Sequence, residues 1–402
     1  MIIALLFMGN LVSALDRFMI NYGIVYISDD LKLNASSTGL ILSIFFLGYA
    51  IMQIPGGWLA DRFGAKLVLF ISIIGFSIFT GLTGLAWSFA SIVAIRFVFG
   101  LAEGSFFPAG AKTISITFPQ EKRSGAMSIF LSALTVAGIA TPILASVFLV
   151  QFGWRTMFIV VGILGFLIGL LYWIYLKPNV ANERSQVIPG SSEKGALTKV
   201  LKTPLIWSLF LVAFSFGFIS WGLASWTPTY LVDVRGLDLK SLGVLQMIPA
   251  VTSFCFFLLA GAILDKVKSG FEKWIGAFSG IGLGLMVYLM FNADSVTGVI
   301  IYQSIAPLFS ALLSVILFSL PIKRLPEDVG GSAVGVVNLG TQVAGFMAPL
   351  AIGFSIDMLN GSYNGAVWLM TSFGFISFIA FLTLKSNKQK VTDDSEANLS
   401  IS

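Results

Sequence analysis

The 402-residue chain has no histidine, one cysteine and few charges, and each shortage removes a class of activity. Without histidine the commonest general base and metal ligand is missing, which argues against hydrolase or zinc chemistry. A lone cysteine, Cys255, excludes an intrachain disulfide and a thiolate metal cluster. No cofactor and no metal are expected, and no enzymatic activity. Charged residues make up 11% of the chain, whereas a soluble domain carries roughly 25% to cover its surface against water. Hydrophobic residues reach 57% and mean hydropathy is +0.93, so lipid must solvate most of the surface. The formal charge of +5 does not imply a nucleic-acid partner. The basic residues fall in short loops between apolar runs instead of gathering on one face.

Those apolar runs number twelve, each long enough to cross a hydrocarbon core of roughly 30 Å: 2–25, 37–59, 67–87, 91–114, 124–149, 154–176, 204–231, 241–263, 274–292, 297–320, 330–356 and 364–384. The polar stretch 177–202, with Pro178, Pro189 and Gly190, separates six from six. The expected fold is therefore an all-α membrane protein of twelve transmembrane helices in two six-helix bundles, 1–176 and 203–385. The central loop 177–202 and the tail 386–402 lie outside the bilayer, the tail polar enough to be disordered. Of the 24 Lys and Arg, 18 lie on one side with the central loop and tail, and four, Lys32, Arg155, Arg235 and Lys240, lie opposite. The positive-inside rule then places both termini in the cytoplasm of a cell with this protein in its inner membrane. Apolar character continues past Asp16 and Arg17 to Val25, which speaks against a cleaved signal peptide.

The two halves echo each other. Gly57-Trp-Leu-Ala-Asp61-Arg62 returns as Gly261-Ala-Ile-Leu-Asp265-Lys266, and Val136-Ala-Gly138-x-x-x-Pro142 returns as Val343-Ala-Gly345-x-x-x-Pro349. Parallel repeats of six helices resemble the layout of major facilitator transporters, where the solute site lies between the halves near the midplane. The first motif extends to Gly57-x-x-x-Asp61-Arg62-x-Gly64-x-Lys66 and is similar to that superfamily's loop signature after the second helix. A glycine there lets another helix approach, and the charges can form ion pairs and cap contacts that one rocking state makes and the other breaks. Gly57, Asp61, Arg62, Gly64, Lys66, Gly261, Asp265 and Lys266 are thus candidate gating residues. The plain alternative is a basic anchor with a turn.

Four ionisable residues lie well inside spans, where each costs at least about 2.5–3.5 kcal/mol: Asp16 and Arg17 in the first, Arg96 and Glu103 in the fourth. Arg96 and Glu103 are seven apart and share a helix face, and Gly100 and Gly104 leave room there for a neighbour or a ligand. Two acids balance two bases across the two helices. Structural ion pairs are one explanation, but small residues hold membrane bundles together without charge. The other is a substrate and proton site. Arginines bind an anion, bidentately when it is a carboxylate, and a carboxylate released from its arginine in a low-dielectric cavity takes up a proton.

Asp16-Arg17, Tyr49-Ala-Ile-Met-Gln-Ile-Pro55-Gly-Gly57 and Arg96-Phe-Val-Phe-Gly100-Leu-Ala-Glu103-Gly104 resemble the anion:cation symporter family, which includes hexuronate, galactonate and glucarate permeases and the sialic acid and vesicular glutamate carriers. Phe152-Gly-Trp154-Arg155, Trp226-Thr-Pro228-Thr-Tyr230 and Gly335-Val-Val-Asn338 fit the same family. The resemblance implies proton carriage by Asp16 and Glu103, switching by Arg17 and Arg96, and substrate contact by Tyr49. It departs in the second half, whose span interiors hold no Lys, Arg, Asp or Glu. Only neutral groups can serve the solute from there: Trp226, Tyr230, Gln303, Asn338 and Gln342, with Ser132 and Thr135 from the fifth span. Trp226 and Tyr230 read equally as an interfacial belt, and Asn338 with Gln342 as interhelical glue. The expected activity is proton-coupled symport of a small organic anion by a monomer, a sugar acid being preferred because neutral polar groups suit hydroxyls. Na⁺ in place of H⁺ stays open. Rival readings are a drug/proton antiporter, whose Gly-Pro and Gly-Gly doublets are missing from the fifth span, and a non-transporting sensor, for which no signalling domain is attached.

Overall fold

The computed structural model describes residues 1–175, 196–267, 271–325 and 327–384, and these are helical, with no strand among them. In a bilayer this follows from the backbone, since an N–H or C=O that finds no water must be paired within its own segment. The first half comprises α1 (Ile2–Leu31), α2 (Ala35–Phe63), α3 (Ala65–Gly84) and α4 (Phe89–Thr117). A 56-residue helical run, Gln120–Tyr175, follows. It turns at Gly153, whose φ of 77° lies in the left-handed region that glycine alone enters freely, and so divides into α5 (120–152) and α6 (154–175). The second half comprises α7 (Pro204–Asp233), α8 (Leu239–Asp265), α9 (Glu272–Phe291), α10 (Val296–Arg324), α11 (Glu327–Met358) and α12 (Asn364–Thr383). With Gly153 as a boundary, the twelve expected spans are present.

Three local readings change. The helix α1 runs on to Leu31, six residues past its expected end. Residues Ala196–Leu201, expected as loop, form a short helix before α7. The rest of the central loop and the tail lie outside the described residues. The fourth span is broken at Ser105, between helices Phe89–Gly104 and Phe106–Thr117. Pro108 explains the break, because it cannot donate to the carbonyl of Gly104 four residues earlier.

Helices α2, α4, α8 and α10 all begin at the end of the bundle opposite the basic loops, capped by Asn34, Ser88, Asp238 and Ser295. Each side chain accepts a first-turn N–H that the helix leaves unpaired. The Asp238 carboxyl, bonded to Ser241, is held below the usual carboxylate range for that reason.

Within each half, glycines let backbones touch. A Cβ on Gly48 would meet the Phe97 carbonyl at 2.3 Å, and one on Gly100 the Phe45 carbonyl at 2.2 Å, so α2 and α4 interlock. Gly280 and Gly284 meet Gly374 in the same way between α9 and α12. Small-residue seams of this kind replace the hydrophobic drive that lipid cancels.

Between the halves, the closest backbone approaches gather at one end. On the α2–α11 seam, a Cβ on Gly39 would lie 2.4 Å from the Pro349 carbonyl, and one on Gly353 would lie 2.3 Å from the Ala35 carbonyl. Asp357 at the end of α11 accepts from the first backbone amides of α2, Ser36 N at 2.7 Å and Ala35 N at 3.1 Å. On the α5–α8 seam, a Cβ on Gly243 would lie 2.8 Å from the Pro142 carbonyl and 2.1 Å from Ser146 Oγ. Toward the basic end such close approaches are missing at three glycines: a Cβ on Gly138 of α5, Gly261 of α8 or Gly335 of α11 would meet nothing within 4 Å. The halves are sealed together at the end opposite the basic loops.

Candidate functional site

The four intramembrane charges meet in crossed pairs that bridge α1 and α4. Arg96 Nη1 donates to Asp16 Oδ2 at 2.6 Å, with both side chains at most 2% exposed. Arg17 pairs with Glu103, whose Oε1 also accepts from Ser13 Oγ at 2.7 Å. Aromatic faces replace the missing water. The Arg17 guanidinium lies 5.1 Å from the ring centroids of both Phe45 and Tyr49, and that of Arg96 lies 5.2 Å from Phe99 and 4.9 Å from Phe158. Two positive and two negative charges cancel, yet the cluster is under-bonded. Asp16 Oδ1, Glu103 Oε2, Arg17 Nε, Arg96 Nε and Arg96 Nη2 are buried without a hydrogen bond. Native structures rarely tolerate this, because each unpaired buried polar atom costs about 1–3 kcal/mol. A merely structural set of ion pairs would be expected to satisfy itself.

Arg17 and Arg96 line a narrow pocket, about large enough for one water, with Asn21 of α1, Phe46 of α2, and Trp221 and Ser225 of α7. Trp221 stacks edge-on against Phe46 with ring centroids 4.6 Å apart, which brings the second half onto the first just above the charges. The sequence reading missed Asn21, Trp221 and Ser225. Their signal was the four-residue spacing of Arg17 with Asn21 and of Trp221 with Ser225, which puts each pair on one helix face.

Other expected site residues fall elsewhere. Trp226 is 2% exposed and donates its indole N–H to the Pro349 carbonyl at 3.1 Å. It is part of the closed seam, neither an exposed belt residue nor a wall of the cleft. Tyr230 is likewise buried, its hydroxyl bonded to the Phe291 carbonyl and to Arg235. Gln303 forms a reciprocal amide pair with Gln246 on α8 at 2.8–2.9 Å. Asn338 accepts from Thr341 on its own helix, and Gln342 is half-buried on α11. Ser132 bonds back to the Ile129 carbonyl and Thr135 is half-buried on α5. Tyr49 is buried over Arg17 and supports it from below. The room beside Gly100 and Gly104 is filled by α2, not by a ligand: a Cβ on Gly104 would meet the Tyr49 carbonyl at 2.6 Å.

In the loop motif, Asp61 pairs with Lys112 of α4 at 3.1 Å, and Lys112 also donates to the Ala60 carbonyl at 2.7 Å. Arg62 lies over Trp58 and Lys66 over Trp173. Gly64 has φ 90°, the turn conformation that requires glycine there. The close approach expected at Gly57 belongs to its neighbour. A Cβ on Gly57 meets only Pro108 at 3.8 Å, whereas one on Gly56 would strike Ser105 at 2.5 Å. Gly261 faces open space and the Lys266 side chain is exposed; the side chain of Asp265 lies outside the described ones. Between the ends of α1, α3 and α6, Arg155 pairs with Asp30 and donates to the Ala86 carbonyl at 3.2 Å.

The sequence profile of the Major Facilitator Superfamily matches residues 6–349. The chain belongs to the major facilitator superfamily. Its fold agrees with two solved superfamily structures, each matched over nearly its whole length. An inward-facing, unoccupied bacterial homologue of the human lysosomal transporter Spinster has a TM-score of 0.78 at 19% identity, covering 95% of this chain and 97% of that one. A D-xylose-proton symporter has a TM-score of 0.75 at 16% identity, covering 96% and 98%. Among curated relatives, a probable sulfoacetate transporter, SauU, of Cupriavidus necator is 32% identical over 90% of this chain and 88% of its own length. The hexuronate transporter of Bacillus subtilis is 27% identical over 95% and 93%, and a probable galactarate/D-glucarate transporter, GarP, of Escherichia coli is 27% identical over 95% and 93%. As a member of the superfamily, the chain is a multi-pass membrane transporter and not an enzyme.

Proposed function

We propose that the chain is a proton-coupled symporter of a small organic anion that works by alternating access. The crossed pairs with five unbonded buried atoms carry this reading. An anion that takes the free guanidinium edges must compete with Asp16 and Glu103 for their arginines. A proton on the displaced carboxyl removes the charge that would otherwise be stranded in a low-dielectric site. Binding of anion and proton thus support each other. The named relatives are a hexuronate transporter and probable transporters of sulfoacetate and of galactarate or D-glucarate, which are all organic anions. In this assignment Asp16 and Glu103 carry protons, Arg17 and Arg96 hold the anion, Tyr49 backs Arg17, and the loop residues around Asp61 and their repeat around Asp265 act as gates. The basic end faces the cytoplasm of the inner membrane by the positive-inside rule, so the sealed end faces outward and the protein is in an inward-facing arrangement.

The test is uptake into proteoliposomes of a panel of organic anions with pH and Na⁺ gradients imposed separately. An inward proton gradient should drive accumulation, and uptake of a monoanion with more than one proton should respond to voltage by about 2.3 kcal/mol per 100 mV for each net charge. Accumulation that follows Na⁺ and ignores pH would overturn the assignment.

A further inference from the structure

We infer that the solute is a compact, short-chain anion with few or no hydroxyl groups, and that Asn21 and Ser225 are the residues that set its specificity; this rests on the anion-symport reading above. The inference comes from what the cleft can offer a solute beyond its charge. Around Arg17 and Arg96 the walls are Ile20, Ile41, Leu42, Phe45 and Phe99, with Trp221 and Phe46 above. Apart from the Trp221 indole N–H, only Asn21 and Ser225 interrupt this apolar lining. They are 6% and 2% exposed, and among the described residues neither side chain makes a hydrogen bond. Asn21 stands one turn beyond Arg17 on α1, and Ser225 one turn beyond Trp221 on α7. Together they offer a solute two donors and an acceptor from an amide and one hydroxyl.

A polyhydroxylated acid needs far more. Each hydroxyl carried into such a pocket without a partner loses its water and regains nothing. Most neutral groups of the second half that suit a sugar are already engaged: Gln303 with Gln246, Trp226 with Pro349, Tyr230 with Phe291, and the Asn338 side-chain oxygen with Thr341. Among them the Gln342 amide and the Asn338 amide N–H₂ make no hydrogen bond to the described residues. A short anion fits the same inventory well. Its charged group meets Arg17, a single second polar group meets Asn21 and Ser225, and its methylene carbons rest on Trp221 and Phe46. Sites with few convergent polar groups in an apolar wall discriminate in this way. A sugar acid, the expectation drawn from the neutral residues of the second half and the solute class of two of the named relatives, is the rival outcome that the test must separate.

The experiment is competition for binding and proton-driven uptake by the full-length protein in proteoliposomes. Sulfoacetate, glycolate and propionate are compared with glucuronate and galactonate. The compact acids should compete at least about tenfold better than the sugar acids, the step expected for roughly one unpaired polar group. Asn21→Ala and Ser225→Ala should each weaken sulfoacetate or glycolate relative to propionate by about the same factor. Glucuronate or galactonate preferred by the unsubstituted protein overturns this inference and leaves the symport reading standing. So does a folded Asn21→Ala that preserves the ratio of glycolate to propionate. Failure of every acid to follow the proton gradient, despite binding, overturns the symport reading instead, while the order of affinities still judges this one. The panel on the unsubstituted protein decides even where a variant does not fold.

Discussion

Under the proposed symport, replacing Glu103 with glutamine separates proton carriage from shape. The amide oxygen can still accept from Ser13 and Arg17, so the contacts that position α1 against α4 persist. What is lost is charge. A charge-assisted hydrogen bond contributes about 1.5–3 kcal/mol and a neutral one about half of that, so the change costs roughly 1–2 kcal/mol. Arg17 is not stranded, because the rings of Phe45 and Tyr49 lie 5.1 Å from it and its side chain keeps 13% exposure. The variant should therefore fold. With the membrane potential clamped, one proton carried per cycle is worth about 1.36 kcal/mol per pH unit, a tenfold concentration ratio. The assay is a one-unit pH jump on proteoliposomes, compared with substrate counterflow, which needs binding and reorientation but no proton. Glu103→Gln should concentrate the solute about tenfold less per pH unit and retain counterflow. Equal accumulation by variant and parent would refute the reasoning, make Glu103 structural and leave Asp16 as the only remaining proton carrier. The other pair supplies the contrast. Arg96 is only 2% exposed, so Asp16→Ala would leave a buried cation unpaired at a cost of about 3–5 kcal/mol and should lower folded yield.

The Asp357→Ala variant loses a charged cap that crosses between the halves. At about 1 kcal/mol for such a cap, spin labels at Lys32 and Asn360 should report a roughly fivefold shift toward opening of that end, and an unchanged distance distribution would count against the seal. Asp61→Asn should slow transport while leaving equilibrium affinity within a few fold, because Asp61 is 74% exposed and an exposed pair contributes only about 0–1 kcal/mol; loss of binding in a folded protein would move Asp61 into the site. Gly48→Ala and Gly100→Ala should each lower thermal stability in detergent by the equivalent of about 1–3 kcal/mol, since each Cβ would strike backbone, whereas Gly57→Ala should be close to neutral. Equal melting temperatures for all three would dismiss the α2–α4 interlock.

The sequence showed which charges sit in the membrane but not how they pair. Asp16 and Arg17 are neighbours, and only the placement of α1 against α4 reveals that each reaches a different partner. The repeat showed more than was first read from it. Its Pro142 and Pro349 turn out to present carbonyls to Gly243 and Gly39 at the two seams of the closed end. Those glycines belong to their own repeat: Asn34 and Asp238 each cap Ser37 and Ser241, with Gly39 and Gly243 two residues further on. An N-cap, a serine and a glycine at one offset is a readable signal, but on its own it says only that two helices start. What the seam does depends on tertiary contact. Asp357 escaped notice for the same reason, since an acid at a helix end has no cost in water and no visible purpose until another helix starts beside it. Trp226 was misplaced because an indole in a span fits a belt, a binding wall and a packed seam equally well by composition.

One helix connects these features. From end to end, α2 carries the amides held by Asp357, the Gly39 contact with Pro349, Phe46 under Trp221, Tyr49 over Arg17 and the Asp61 loop. Its lower half is locked to α4 through Gly48, Gly100 and Gly104, backbone against backbone, so it cannot slide past Glu103 without opening that seam. Its upper half meets α11 just as closely, Gly39 against the Pro349 carbonyl, Gly353 against the Ala35 carbonyl and Gly345 against the Phe46 ring, with the Asp357 cap and the Phe46–Trp221 pair added. The difference is one of membership: α2 and α4 lie in one bundle, whereas the α2–α11 seam joins two, and rigid-body rocking exchanges contacts between bundles. A solute that draws Trp221 and Ser225 toward Arg17 therefore acts on the seam between bundles. Relief of the Arg17–Glu103 pair by a proton acts beside the seam within one. Coupling between anion and proton requires both to bias the same rigid body, and α2 together with α4 is the body on which they meet.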